Sequence, residues 1–246
     1  MQTLAIFLIG YSAFSALVIA LTHFRRVNYP GQRLAQVTGV ALLLVLTLMQ
    51  LMHFGYLQYA AEYIHSPVYR MLLFSVAPVF YLYSKPLLQA DTDFRPRHLL
   101  HLIPIAVAPF VPYAWALPLA FTVGALYLLW LARTVWMLRA ERSRFRQELG
   151  LLAGVFVIAT AVSVTALGLP WLGEQLFYLL YACAIGCAFL LVSIVLGMTP
   201  QLARDVGEAA RETYAVSTLN NVDGPAALAR LDALMQDDKL YRQATL

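Results

Sequence analysis

Charge is what this chain has least of. Only 12% of its 246 residues are Asp, Glu, Lys or Arg, against about 25% in an ordinary globular domain. With 61% apolar residues and a mean hydropathy of +0.70, too little polar surface remains to cover a water-soluble domain of this length. The expected class is an integral membrane protein. Cysteine is almost as scarce. Cys183 and Cys187 stand four apart in one apolar stretch, on one helix face, where they suit packing better than a disulfide or a metal. Aspartate is missing from every long apolar stretch, which excludes the paired acids of intramembrane aspartyl proteolysis. No HExxH occurs, so a zinc protease lacks both ligands and base. No lysine lies in the last apolar stretch, which excludes a retinal Schiff base. His98 and His101 share a face at i, i+3, without a third ligand fixed nearby. No enzymatic activity, metal or cofactor is expected.

What is present is length. A helix needs roughly 20 apolar residues to cross a hydrocarbon core of about 30 Å. Seven stretches meet that need: 3–23, 34–57, 68–88, 98–115, 117–138, 149–169 and 172–197. The fourth must bend or end at Pro104, Pro109 and Pro112. The first follows no basic leader and is too long for a signal peptide, so it reads as a retained span. Loop charge alternates with this count. Sixteen of the seventeen basic residues fall on one side, Arg70 alone on the other. The positive-inside rule then puts the N-terminus outside and the C-terminus in the cytoplasm, in a bacterial inner membrane. The expected fold is all-α: a seven-transmembrane-helix bundle over residues 1–198, a cytoplasmic helix and linker over 199–224, and an amphipathic helix over 225–246.

Polar residues inside spans are costly and face a cavity or one another. Gln50 and His53 share a face near the outer end of the second span. Glu62 and His65 follow in the loop, and Arg70 opens the third span. Tyr113 and Trp115 lie at the outer end of the fourth, and Trp171, Glu174 and Tyr178 at the start of the seventh. Two readings stay open: an outward-facing ligand pocket, or an interhelical hydrogen-bond set with Trp and Tyr as the interfacial belt. His53, Glu62, His65 and Glu174 would also make a metal set if the fold gathered them. Pro78 kinks the third span or acts as a signalling hinge. Ala182, Cys183, Gly186 and Cys187 form a small-residue face that meets a neighbouring helix or a second subunit.

After Met198 the texture changes. Thr199 and Pro200 read as an N-cap and first turn, and "TYAVSTLNNVDGP" as a linker. Leu228, Leu231, Leu234 and Met235 then fall on one face at helical spacing. Pro78, Pro200 and these four apolar residues are candidate signal-relay positions.

The tail "LARLDALMQDDKLYRQATL", with Met235, Lys239, Leu240, Tyr241, Thr245 and Leu246, resembles the entry into the DNA-binding domain of AraC/XylS-type transcription regulators. "ETYAVSTL" is similar to a segment that precedes it there. "PVFYLYSKPLL" (78–88) and "FRPRHLLHLIPI" (94–105) resemble the inner loop and flanking spans of the seven-span sensor half in one group of these regulators. The resemblance covers essentially the whole chain. It implies a membrane sensor that relays an outer-face or bilayer signal through the seventh span to a cytoplasmic helix-turn-helix domain. That domain would begin at or after Thr245 and is missing from this sequence, so DNA would be a partner only through it. Membrane lipids, a small apolar or weakly charged signal, and a second copy pairing through 225–240 are the other expected partners. The alternative is a stand-alone seven-span transporter or binding protein for a small molecule or lipid.

Overall fold

The computed structural model describes residues 1–89, 96–137 and 173–198, with positions 154, 157–158, 160–162 and 164–165 between them. Among the described residues there is helix and connection but no strand. Five long helices carry the architecture: α1 (Gln2–Thr22), α2 (Arg33–Tyr59), α3 (Pro67–Gln89), α5 (Tyr113–Met137) and α6 (Glu174–Met198). A short α4 (Ile103–Val107) lies between α3 and α5. All five long helices are long and apolar enough to cross a membrane. At 1.5 Å per residue, 21 to 27 residues span roughly 32–40 Å. Their apolar residues run all round the helix, as lipid on one side and protein on the other both require. Phe7, Phe14, Leu44, Leu126 and Leu129 are exposed, a surface that suits lipid and not water.

The ends are built locally. The Thr22 hydroxyl and the Arg25 guanidinium donate to the Val18 and Leu21 carbonyls, satisfying groups left free at the end of α1. A 3-10 turn (Arg26–Asn28) and Gly31 at φ 73° reverse the chain into α2. At the far end of α2, Ala60 takes the left-handed conformation at φ 52°. The Ala60 and Ala61 amides donate to the Tyr56 and Gly55 carbonyls, closing the helix with the single-turn bond of an αL cap. Gly55 is needed there, because a Cβ would stand 2.7 Å from the Tyr63 ring.

The fourth expected span differs from its 98–115 outline. It is a 3-10 segment (Pro96–Leu102), then α4, then a second 3-10 turn (Ala108–Phe110). Helix stops at Val111, which is extended at ψ 127°, because the following Pro112 disfavours helical backbone before it. Tyr113 and Trp115 therefore open α5 instead of closing the fourth span. The segment still runs between the two ends of the bundle. His98 bonds Lys85 near the end of α3, while the Pro109 carbonyl accepts from Arg70 near its start. Pro78 is fully buried within an α3 that continues to Gln89.

α1 and α6 run parallel and very close. A Cβ on Gly186 would meet the Leu8 Cβ at 2.6 Å, and Ala5, Ile9 and Ala182 are buried together. The small-residue face of α6 thus meets a helix of the same chain, and Cys187 is exposed. The main core gathers Met49, Tyr69, Phe74, Phe177, Tyr178 and Tyr181. The expected span at 149–169 is described only at scattered helical positions between Gly154 and Thr165. Trp171, Pro200, Leu228, Leu231, Leu234 and Met235 lie outside the described residues.

Candidate functional site

Five helices meet at the end of the bundle that carries Glu174, and their polar side chains find one another. Gln50 and His53 sit one turn apart on α2, each 0% exposed. A buried amide must place both its donors and its acceptor. Gln50 Nε2 donates to the Ala182 carbonyl of α6 and to Ser12 Oγ of α1, both at 3.1 Å. A carbonyl accepts only, which fixes the amide orientation. Gln50 Oε1 then faces His53 Nδ1 at 3.2 Å, so Nδ1 of the neutral imidazole carries the proton. His53 Nε2 is left as acceptor and takes the Tyr69 hydroxyl at 2.8 Å. One tautomer follows from the whole chain of partners. The imidazole is walled by Tyr69, Tyr178 and Tyr181, with ring centroids 5.2–5.6 Å away.

Nearer the surface a second group forms. Tyr113 donates a short hydrogen bond to Glu174 Oε1, and the same oxygen is 2.9 Å from His65 Nε2. The two ionisable side chains are each 36% exposed. The Tyr113 hydroxyl is 3.5 Å from that of Tyr178, and Tyr178 packs edge-on against Tyr69 at 5.9 Å. Tyr178 therefore joins the half-exposed pair to the buried histidine.

Seven of the ten expected ligand-binding residues, Gln50, His53, His65, Arg70, Tyr113, Glu174 and Tyr178, are brought to this end. Arg70 serves as a brace there. Its guanidinium donates to the His65 and Pro109 carbonyls, both at 3.1 Å, and ties the loop before α3 to the proline-rich segment. Glu62 and Trp115 stay apart. Glu62 is exposed in the loop after α2, and Trp115, 63% exposed, faces outward like a membrane-interface aromatic. The set His53, Glu62, His65 and Glu174 is not gathered, because His53 is committed to Gln50 and Tyr69. Among the described residues no group of three or more His, Cys, Asp or Glu is placed to hold a metal. His98 and His101 do not act together either: His98 meets Lys85, while His101 Nδ1 meets the Tyr127 hydroxyl at 2.7 Å.

Sequence reasoning missed Ser12, Tyr69 and Tyr181. Tyrosines near span ends look like belt residues, and only the long-range packing of α6 turns these two inward. A signal did exist for Ser12, since a hydroxyl in mid-span needs a partner and Gln50 is the matching amide on the next helix. The arrangement is a set of directional hydrogen bonds across α1, α2 and α6 that changes if α6 turns or slides. No family model, curated protein or solved structure matches the chain.

Proposed function

We propose that the protein is the seven-span, membrane-embedded sensing part of an AraC-type one-component transcription regulator. The observation that carries this reading is the position of α6. Glu174, Tyr178 and the Ala182 carbonyl, on its first turns, belong to the polar site, and its last turn leads toward the soluble tail that resembles a regulator's DNA-binding entry. A signal that rearranges the site shifts α6, and α6 carries the shift to the segment after Pro200 and to Leu228, Leu231, Leu234 and Met235. An effector works only through differential affinity for two states. Bonds from Gln50 to α6 supply such a difference, because they form in one register and break in another. The sparse charge near Glu174 suits a small, apolar or weakly charged signal.

Seven crossings fit the chain: α5 ends at the Arg26 end of the bundle and α6 begins at the opposite end, and the sequence between them holds an apolar stretch of spanning length at 149–169. With the 96–110 segment, that stretch brings the five long helices to seven. Basic loops then assign the Arg26 end to the cytoplasm of a bacterial inner membrane and the Glu174 end to the outside.

Reading the native coding sequence beyond the Leu246 codon tests the output half of this proposal. Continuation into two helix-turn-helix units is expected, and a stop codon at that point contradicts a DNA-binding output. The second reading is a stand-alone binding or transport protein for a small molecule or lipid. An apolar cavity of about 350 Å³ between the helices favours it.

A further inference from the structure

The cavity lies in the other half of the bundle, toward the Arg26 end. Its walls come from α1, α2, α3, α5 and α6, with Ile158 and Val162. A volume of about 350 Å³ falls within the roughly 300–1,000 Å³ range of small-molecule sites. Leucine, valine, alanine and phenylalanine side chains make most of the lining. One polar group is out of keeping with it. Ser84 is 3% exposed, lines the cavity, and its hydroxyl has no hydrogen-bond partner among the described residues. A buried hydroxyl without a partner is destabilising, so a guest with an acceptor near it would relieve that cost.

Beside the cavity is a second recess of about 280 Å³, formed by Arg26, Tyr29, Pro30, Gly31, Arg33, Gln36 and Val37. Tyr29 belongs to both walls. It is held by stacking on Phe24 at 5.4 Å, and burial beside Tyr83 pushes its phenol above the ordinary value, so it stays a neutral hydrogen-bonding group. Among the described residues that form the recess, Arg26 and Arg33 are charged and none is a carboxylate. Among the described residues neither Arg26 nor Arg33 forms an ion pair. An apolar slot and a doubly cationic recess on either side of Tyr29 match an amphiphile of one kind: an acyl chain with an anionic oxygen head.

We propose that this end of the bundle is a binding site for an anionic phospholipid, with one acyl chain in the cavity and the phosphate held by Arg26 and Arg33. The site is separate from the Gln50–Glu174 network and does not depend on the regulator reading.

Gly124 gives a clean test. It lines the cavity, and a Cβ placed there meets nothing within 4 Å. Gly124→Leu therefore starts from open space, puts a branched side chain at the cavity wall and improves helix propensity. The intact chain is reconstituted in nanodiscs of phosphatidylcholine with a minor share of phosphatidylglycerol, extracted into detergent, and its retained lipid read by native mass spectrometry. Phosphatidylglycerol is expected to be enriched roughly tenfold or more over its share. The double variant Arg26→Gln with Arg33→Gln should lose that enrichment and keep some lipid of either kind. Gly124→Leu should retain neither lipid, with an unchanged or higher Tm. Retention of phosphatidylglycerol only in proportion to its share overturns the proposal, as does wild-type retention by Gly124→Leu. A parallel arm with oleate separates the sources of the anion: retention of oleate without phospholipid overturns a phospholipid site.

Discussion

The two ends of this bundle are built on opposite principles. Toward Glu174, the helices are cross-linked by a run of hydrogen-bonded buried side chains, from Ser12 through Gln50 and His53 to Tyr69. Toward Arg26, the helices leave an apolar space, and among the described residues the Ser84 hydroxyl beside it has no hydrogen-bond partner and Arg26 and Arg33 form no ion pair. The Glu174 end has one such group too, the buried Arg70 Nε, but its space is filled by side chains. The Arg26 end has the room for a guest that the proposed lipid would fill. Where hydrogen bonds hold helices together, the register between them is specified, so a change of register is a change of state.

Substitutions break this comparison in graded fashion. Gly186→Leu should do most, because its Cβ would already meet Leu8 at 2.6 Å. Forcing α1 from α6 should cost about 3 kcal/mol, at the upper end of overpacking penalties, read as a large fall in Tm in detergent. Gln50→Leu should cost about 1–2 kcal/mol. It strands the His53 Nδ1 proton and removes two bonds from α1 and α6. The same change made as Gln50→Glu would put a carboxylate oxygen against the Ala182 carbonyl and should be worse than Leu. An equal effect of the two would show that the amide orientation is wrong. Ala60→Gly should stabilise by about 0.5–1 kcal/mol, because glycine tolerates the left-handed cap; no gain would mean that Ala60 does not hold a positive φ. Glu62→Gln should stay within about 0.5 kcal/mol of wild type, whereas Glu174→Gln should disturb both Tyr113 and His65.

Much of the framework is legible in the sequence, since apolar length and loop charge are properties of single segments. The expected limits of spans one, two, three and seven lie within two residues of α1, α2, α3 and α6. The break after Phe110 was harder to place. Three prolines signal an interruption, and the break falls before Pro112, the last of them, because Pro104 and Pro109 sit in the first turns of short helical segments where proline is tolerated. For the site, residue type was informative and partnership was not. Gln50 and His53 stand out as polar groups in an apolar helix, and they do pair. That Gln50 reaches Ala182, 132 residues away, follows only from α1 and α6 being parallel neighbours. The cavity left no mark in the sequence, because a space is defined by five helices at once and by no motif on any of them.

A sensing bundle requires that the Glu174 end control an output at the far end of α6. The direct measurement is a transcript profile of cells carrying the native reading frame with Gln50→Leu, with Glu174→Gln, or with Glu62→Gln, at matched protein abundance. The first two should change the expression of a shared gene set, while Glu62→Gln, one loop away but outside the hydrogen-bond network, should match wild type. Identical profiles for all three would contradict a sensing role for this end of the bundle.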